Sequence, residues 1–133
     1  MTSTCYCAAL RAAARKTTAI YDAALAPIGV NVAQFSLLRK IQRAAPVSLT
    51  ELGRLAELDR STVGRNVKVL TRMGLARATP SPDDQREATV TLGERGEAAL
   101  REGAPLWDEA QSRIEAALGE GGAARLRALL AAL

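Results

Sequence analysis

The sequence predicts a mainly α-helical fold with one small β-hairpin, and three observations lead to that prediction. Apolar residues recur at intervals of three or four over most of the 133 residues. Alanine and leucine supply most of the apolar surface and only 3% of the residues are aromatic, which favours helices. Apolar and polar residues alternate near residues 75–92, where we expect two short strands. The length predicts one domain, residues 1–133.

The N-terminal segment is expected to form two helices. The first carries apolar residues at helical spacing from Leu10 to Ala24 and ends near residues 27–29. Asn31 and Gln34 have the spacing of a capping box, in which each side chain accepts a hydrogen bond from the other residue's backbone N–H. This pair predicts the start of the second helix.

Two short helices are predicted next, with a connection of only a few residues. Ser48 and Glu51 have the spacing of another capping box, and Asp59 is a good N-cap for the following helix. Helical spacing predicts one apolar stripe on each helix, made of Leu49, Leu52, Leu55 and Ala56 on the first and of Val63, Val67, Leu70 and Met73 on the second. Helices joined so closely must cross steeply to share a core, which is the helix-turn-helix geometry.

The other face of the second of these helices is cationic. A single exposed stripe is predicted for Ser61, Arg65, Lys68 and Arg72, with Arg60, Thr62 and Gly64 beside its N-terminal end. Arginine can bond a guanine edge or a phosphate, lysine can neutralise phosphate, and small hydroxyl residues allow close approach. The stripe therefore indicates a helix that enters the major groove of duplex DNA. The alternative is a solvated basic face on an ordinary helical domain.

A hairpin follows this helix. Gly74 is placed to end the helix in the left-handed conformation, and strands are predicted for residues 75–79 and 88–92. The segment between the strands is rich in turn-forming residues and contains Asp84 and Arg86. Arg86 is expected to reach the minor groove or the backbone of DNA, and Asp84 to hold either its guanidinium or the base of the hairpin in position. The alternative is a surface hairpin whose charges only keep it soluble.

A long helix is expected from Glu94 to Leu118, with a kink or break near Gly103 and Pro105. A short final helix follows the glycine-rich residues 119–122. Its leucines continue to the last residue, so it needs an apolar partner. That partner is either a second copy of the chain or the rest of its own domain.

These segments resemble the MarR family of bacterial transcriptional regulators. The resemblance is carried by Ser48-Leu49-Thr50-Glu51-Leu52, by Ser61-Thr62-Val63 with Arg65, by residues 70–75, and by Asp84-Gln85-Arg86 six residues before Leu92. It implies a winged helix-turn-helix lobe at about residues 31–92 and dimerisation helices at residues 1–28 and 94–133. One departure is Gly93, which stands where the family commonly has a threonine.

The resemblance further implies a homodimer that presents two recognition helices to a pseudo-palindromic operator in double-stranded DNA. Repression is the expected mode of action, relieved by a small aromatic effector or an oxidant. The residues expected to contact DNA are Arg60, Ser61, Thr62, Arg65, Lys68, Arg72, Asp84 and Arg86. The rival interpretation is a winged-helix module that binds a protein and leaves its cationic stripe in solvent.

Two cysteines, Cys5 and Cys7, lie at the start of the first helix, where the helix dipole favours a thiolate. This part also resembles the organic-hydroperoxide-sensing branch of the MarR family, in which paired tyrosines accompany the reactive cysteine. Tyr21 looks like one of those tyrosines, while Arg11 stands in place of the other. The alternatives are cysteines that pack in a dimer interface, an intersubunit disulfide, or a metal site, which two sulfur ligands without histidine disfavour.

Composition argues against several other functions. The absence of histidine removes the commonest general base, and residues 119–124 imitate a dinucleotide-binding motif without the preceding strand. We therefore expect neither an enzyme nor a bound cofactor or metal. A net charge of +4 suits a polyanionic partner. No apolar run approaches the roughly 20 residues of a membrane span, so we expect no membrane association and a cytoplasmic location.

Overall fold

The structure is a computed structural model that describes residues 4–80 and 87–133. Its helices are α1 (Tyr6–Leu25), α2 (Val32–Ala44), α3 (Leu49–Ala56), α4 (Arg60–Arg72), α5 (Glu94–Leu118) and α6 (Gly122–Ala131), with a 3-10 turn at Ala26–Ile28. Its strands are β1 (Val47–Ser48), β2 (Ala76–Pro80) and β3 (Ala88–Leu92). The mainly α-helical fold with a small β-hairpin is confirmed.

Helix α2 begins at the capping box predicted from the sequence. The Asn31 side chain accepts a hydrogen bond from the Gln34 backbone N–H at 2.8 Å, and the Gln34 side chain accepts one from Asn31 at 3.0 Å. The Val32 N–H donates to the Asp22 carboxylate on α1 at 2.8 Å. Three of the unpaired N–H groups at this helix start are thereby satisfied, and α1 is tied to α2.

Only one of the two hydrogen bonds of the predicted capping box is present at the start of α3, so the predicted capping box is wrong. The Ser48 hydroxyl accepts a hydrogen bond from the Glu51 N–H at 3.1 Å, but the Glu51 carboxylate pairs with Arg54 instead of turning back. That pair lowers the pKa of Glu51 through the hydrogen bond from the guanidinium. Leu55 was expected in the apolar stripe, but it is 37% exposed and does not belong to the buried core.

The sheet has the strand order β1-β3-β2 and is antiparallel throughout. Strand β1 was not predicted, since two residues are too few to show a period of two. The prediction that the hairpin begins at Leu75 is wrong by one residue, because Leu75 is buried and its N–H bonds Leu70. Gly74 ends α4 with φ +76°, as predicted.

Helix α5 is continuous from Glu94 to Leu118, so of the predicted kink or break near Gly103 and Pro105 the break is wrong. Proline removes one helical hydrogen bond, and here the carbonyl it leaves belongs to the exposed Arg101, where water can replace the lost donor. Gly103 is a buried residue of α5 and marks a close contact between helices. A Cβ atom there would lie 2.5 Å from the Phe35 ring, so glycine allows α2 and α5 to pack closely.

The core lies where α1, α2 and α5 meet the α3–α4 pair and the sheet. Its fully buried side chains are Leu25, Leu38, Ile41, Leu52, Val63, Leu70 and Val90. Helix α6 does not join this core, since Leu129 is 66% exposed and Leu130 46% exposed. Within the described ranges, no helix is long and apolar enough to cross a bilayer.

Candidate nucleic-acid interface

Helix α4 has one buried and one exposed face, as its periodicity predicted. Val63, Val67 and Leu70 are at most 3% exposed and join the core. On the opposite side, the exposed residues include Arg60, Ser61, Arg65, Lys68 and Arg72, while Thr62 and Gly64 are half-buried. The helix therefore holds its cations outward on a rigid base.

An open groove of about 660 Å³ separates this cationic face from the hairpin. The small side chains of Ala78 and Ala88 form the hairpin wall, and Leu49, Val67 and Thr71 lie between the walls. The α4 wall consists of Arg60, Ser61, Gly64, Arg65, Lys68 and Arg72. Leu49, Thr71, Ala78 and Ala88 were not among the predicted site residues. Thr71 belongs to α4 itself, whereas only the tertiary structure brings Leu49, Ala78 and Ala88 beside this helix.

The N-terminal end of α4 is organised by Asp59. Its carboxylate accepts hydrogen bonds from the Thr62 N–H and the Ser61 hydroxyl, both at 2.7 Å. These bonds, the first of them foremost, lower the pKa of Asp59 to about 2. Because the Ser61 hydroxyl proton is engaged, Ser61 faces the groove as a hydrogen-bond acceptor in this arrangement.

Arg65 is also oriented from within α4. Its guanidinium donates to the Thr62 hydroxyl at 3.2 Å, one turn earlier in the helix. A guanidinium has five donor hydrogens, so this bond fixes its direction and leaves other donors for an anionic partner. Thr62 therefore acts on Arg65 as well as on the helix start.

Asp84 and Arg86, predicted at the tip of the hairpin, lie outside the described residues. The two strands that lead to them are β2 and β3. Strands β2 and β3 pair in register from Ala76 opposite Leu92 to Pro80 opposite Ala88. The hairpin thus extends alongside α4 on the far side of the groove.

The structure does not bring Cys7 and Tyr21 together within one chain. Cys5 is the N-cap of α1 and Cys7 lies in its first turn, and both are exposed free thiols. Tyr21 lies fourteen residues beyond Cys7, or about 21 Å along the helix. Its hydroxyl bonds Gln111 of α5, and burial raises its pKa, aided by the negative charge of Glu115.

Trp107, the single tryptophan, forms a second candidate site between α2 and α5. Its ring stacks on Tyr21 with the centroids 6.0 Å apart, and the Arg39 guanidinium carbon lies 4.6 Å from its centroid. Two cavities, of about 220 and 380 Å³, lie beside it, and both are lined by Arg39 and Arg43. Aromatic surface and two cations therefore meet at this place.

The packed α3–α4 pair, the cationic face of α4 and the adjoining hairpin define a winged helix-turn-helix protein. Residues 28–87 match the family model described as MarR family. A transcriptional regulator of M. tuberculosis, MosR, in complex with DNA has 34% identity and a TM-score of 0.87, with 96% of this chain and 92% of MosR covered. The chain belongs to the MarR family.

A curated relative is YhbI of Bacillus subtilis strain 168, described as an uncharacterized HTH-type transcriptional regulator. It is 30% identical over 94 residues, which are 71% of this chain and 61% of YhbI. The alignment thus spans less than two thirds of that protein. A further crystal structure of MosR has 32% identity and a TM-score of 0.80, with 97% of this chain and 92% of MosR covered. The protein is therefore more similar in shape to MosR in complex with DNA than to MosR in this further crystal structure.

Proposed function

We propose that this protein is a sequence-specific, double-stranded-DNA-binding transcriptional regulator that acts as a homodimeric repressor in the cytoplasm. The observation that carries the proposal is the exposed cationic face of α4 beside an open groove. Membership of the MarR family and the likeness to MosR in complex with DNA support it.

Helix α4 is proposed to enter the major groove, with the hairpin beside the neighbouring backbone. Arg65, Lys68 and Arg72 supply positive charge along the helix, and Ser61 supplies an acceptor near its start. The complete proposed contact set is Arg60, Ser61, Thr62, Arg65, Lys68, Arg72, Asp84 and Arg86. The last two depend on the hairpin tip, which lies outside the described residues.

Dimerisation is proposed through the helices of residues 1–28 and 94–133, which flank the DNA-binding lobe of residues 31–92. The exposed leucines of α6 support this, since a helix with Leu129 and Leu130 in solvent gains from covering them. Two lobes related by a twofold axis would read half-sites about 34 Å apart, one turn of DNA.

The proposed effector is a small aromatic acid bound beside Trp107. Arg39 and Arg43 can neutralise a carboxylate, and the exposed part of the Trp107 ring can stack on an aromatic group. A ligand between α2 and α5 would shift the DNA-binding lobe against the dimerisation helices, provided that it binds one arrangement more tightly.

Oxidation at Cys5 or Cys7 is the second proposed trigger. Both thiols are exposed, so a peroxide can reach them in the single chain. Tyr21 would take part only if another subunit brought it to the cysteines, because it lies far along α1. This trigger is tested by measuring operator binding before and after mild peroxide, in the natural chain and in Cys7→Ser. If peroxide abolishes binding by the variant as well, Cys7 is not the residue whose oxidation acts as the trigger.

The decisive experiment measures binding to a duplex that the protein itself selects from a randomised pool. If several phosphates are contacted, affinity should fall about a hundredfold or more between about 50 and 200 mM salt. Arg65→Ala should weaken binding, whereas Arg101→Ala, on the exposed side of α5, should not. A protein-binding module would be favoured instead if the protein selected no duplex, or if its affinity for the duplex changed neither with salt nor in Arg65→Ala.

A further inference from the structure

Gly64 lies on the groove-facing side of α4, at the middle of its cationic face. Arg60 is one turn before it and Lys68 one turn after it, and all three line the groove. Glycine inside a helix lowers stability relative to alanine, because it loses more backbone freedom on folding. A glycine at this position therefore requires a reason.

The packing of this chain does not supply that reason. A Cβ atom built on Gly64 would have no atom within 4 Å, whereas one on Gly53 would lie 2.9 Å from the Leu58 carbonyl oxygen. Backbone conformation does not supply it either, since Gly64 has ordinary helical geometry and not the positive φ of Gly74. Within residues 4–80 and 87–133, no other glycine combines open space with negative φ.

We propose that Gly64 is a specificity-determining residue, at which the edge of a base pair approaches the α4 backbone too closely for any side chain. This inference rests on the proposed function, and it assigns the closest contact between protein and duplex. The cations on either side would hold the two flanking phosphate backbones, so the position between them faces the floor of the major groove. Gly64 is the fifth residue of α4, in the N-terminal half that reads base edges in helix-turn-helix proteins.

The test is Gly64→Ala, because the expected effects on stability and on binding have opposite signs. The Tm should rise by about 2 to 5 °C, since alanine favours the helix and meets no neighbour. Affinity for the duplex selected by the natural chain should fall about tenfold or more, the effect of one mismatched base pair. Affinity for a scrambled duplex should change less than about twofold, because phosphate contacts dominate non-specific binding.

Asn66→Ala is the matched control. Asn66 is an exposed residue of the same helix and lines a different cavity, between α2 and α4. This substitution should also raise the Tm, by favouring the helix, and should leave affinity for both duplexes unchanged.

The failures of the two proposals are distinguishable. If the natural chain prefers no duplex, the proposed function and this inference both fall. If it does prefer one but Gly64→Ala binds that duplex equally well, only the role of Gly64 is overturned. A lower Tm for Gly64→Ala would also overturn it, because the space beside Gly64 would then be occupied by the protein itself.

Discussion

Gly96 of α5 lies directly against the carbonyl group of Leu75, so that a Cβ atom on Gly96 would lie 2.0 Å from that oxygen. The same carbonyl accepts a hydrogen bond from the Gly93 N–H at 3.1 Å. Leu75 follows α4 and Gly96 lies in the first turn of α5. At the junction of the DNA-binding lobe and α5, the backbone of Gly96 therefore packs directly against the backbone of Leu75.

Gly96→Ala should lower the free energy of unfolding by about 3 kcal/mol, near the upper end for overpacking, because the obstructing atom is backbone and cannot rotate away. Urea denaturation at a fixed protein concentration measures this effect. Gly64→Ala is the control for the general effect of alanine in a helix and should be slightly stabilising. A Gly96→Ala protein as stable as the natural chain would show that the junction can open at little cost.

Lys68→Ala should reduce the slope of log affinity against log salt by about 0.9 per DNA-bound subunit, as expected for one lost phosphate contact. Lys68 carries a point charge on a flexible stem, which suits a phosphate better than a base edge. The loss should be similar for selected and scrambled duplexes. A loss confined to the selected duplex would instead assign Lys68 to base recognition.

Asp59→Asn should remove an acid-dependent part of the stability of α4. The folded-state pKa of Asp59 is about 2, below the ordinary 3.8, so its carboxylate stabilises the fold above pH 3.8. This contribution is lost as the pH falls from 3.8 to about 2. Asparagine can still cap the helix but does not titrate over this range.

Thermal melts of the natural and Asp59→Asn proteins should therefore differ most near neutral pH and converge as the pH approaches 2. Asp59→Ala, which removes the cap as well, should be the least stable of the three at neutral pH. A difference between the natural and Asp59→Asn proteins that is independent of pH would contradict the assigned role of the charge.

Tyr21→Phe should weaken the contact between α1 and α5, at a cost of about 1 kcal/mol, because Gln111 loses its hydrogen-bond donor. The raised pKa of Tyr21 favours its neutral form, so this stabilisation is present below pH 10.0 and is lost at higher pH. Trp107 reports the titration, since tyrosinate formed beside it would quench its fluorescence. The quenching should have its midpoint above pH 10.0 and should largely disappear in Tyr21→Phe.

Benzoate, as a simple aromatic acid, should quench Trp107 fluorescence with a saturable dependence on concentration. Arg39→Gln should weaken this effect, because it removes both the cation over the ring and a partner for the carboxylate. Arg101→Gln, on the exposed side of α5, is the control for a general change of charge. Quenching that does not saturate, or that is equal in all three proteins, would remove the proposed effector site.

Local signals were the part of this fold that could be read from the sequence. The caps at Asn31 and Asp59 and the turn at Gly74 depend on hydrogen bonds and backbone angles within a few residues, and all three were predicted correctly. Glu51 and Gly103 were misread. Glu51 pairs with Arg54, one turn later in the helix, and not with the backbone of Ser48. Gly103 is required by the close approach of the Phe35 ring, and Phe35 is distant in the sequence.

The cationic face of α4 was predictable for the same reason, because a helical period places its residues without further knowledge. The groove beside it was not, since Ala78 and Ala88 reach α4 only through the register of β2 and β3. The separation of Cys7 from Tyr21 follows from α1 being one unbroken helix.

The uncovered leucines of α6 bear on how the regulator would respond to its own abundance. If pairing of two chains precedes tight attachment to an operator, occupancy rises with the square of the chain concentration while most chains are single. A twofold change in synthesis would then change occupancy about fourfold at low levels. Dimerisation through the exposed leucines of α6 would thus set a threshold in chain concentration for repression, independently of any effector.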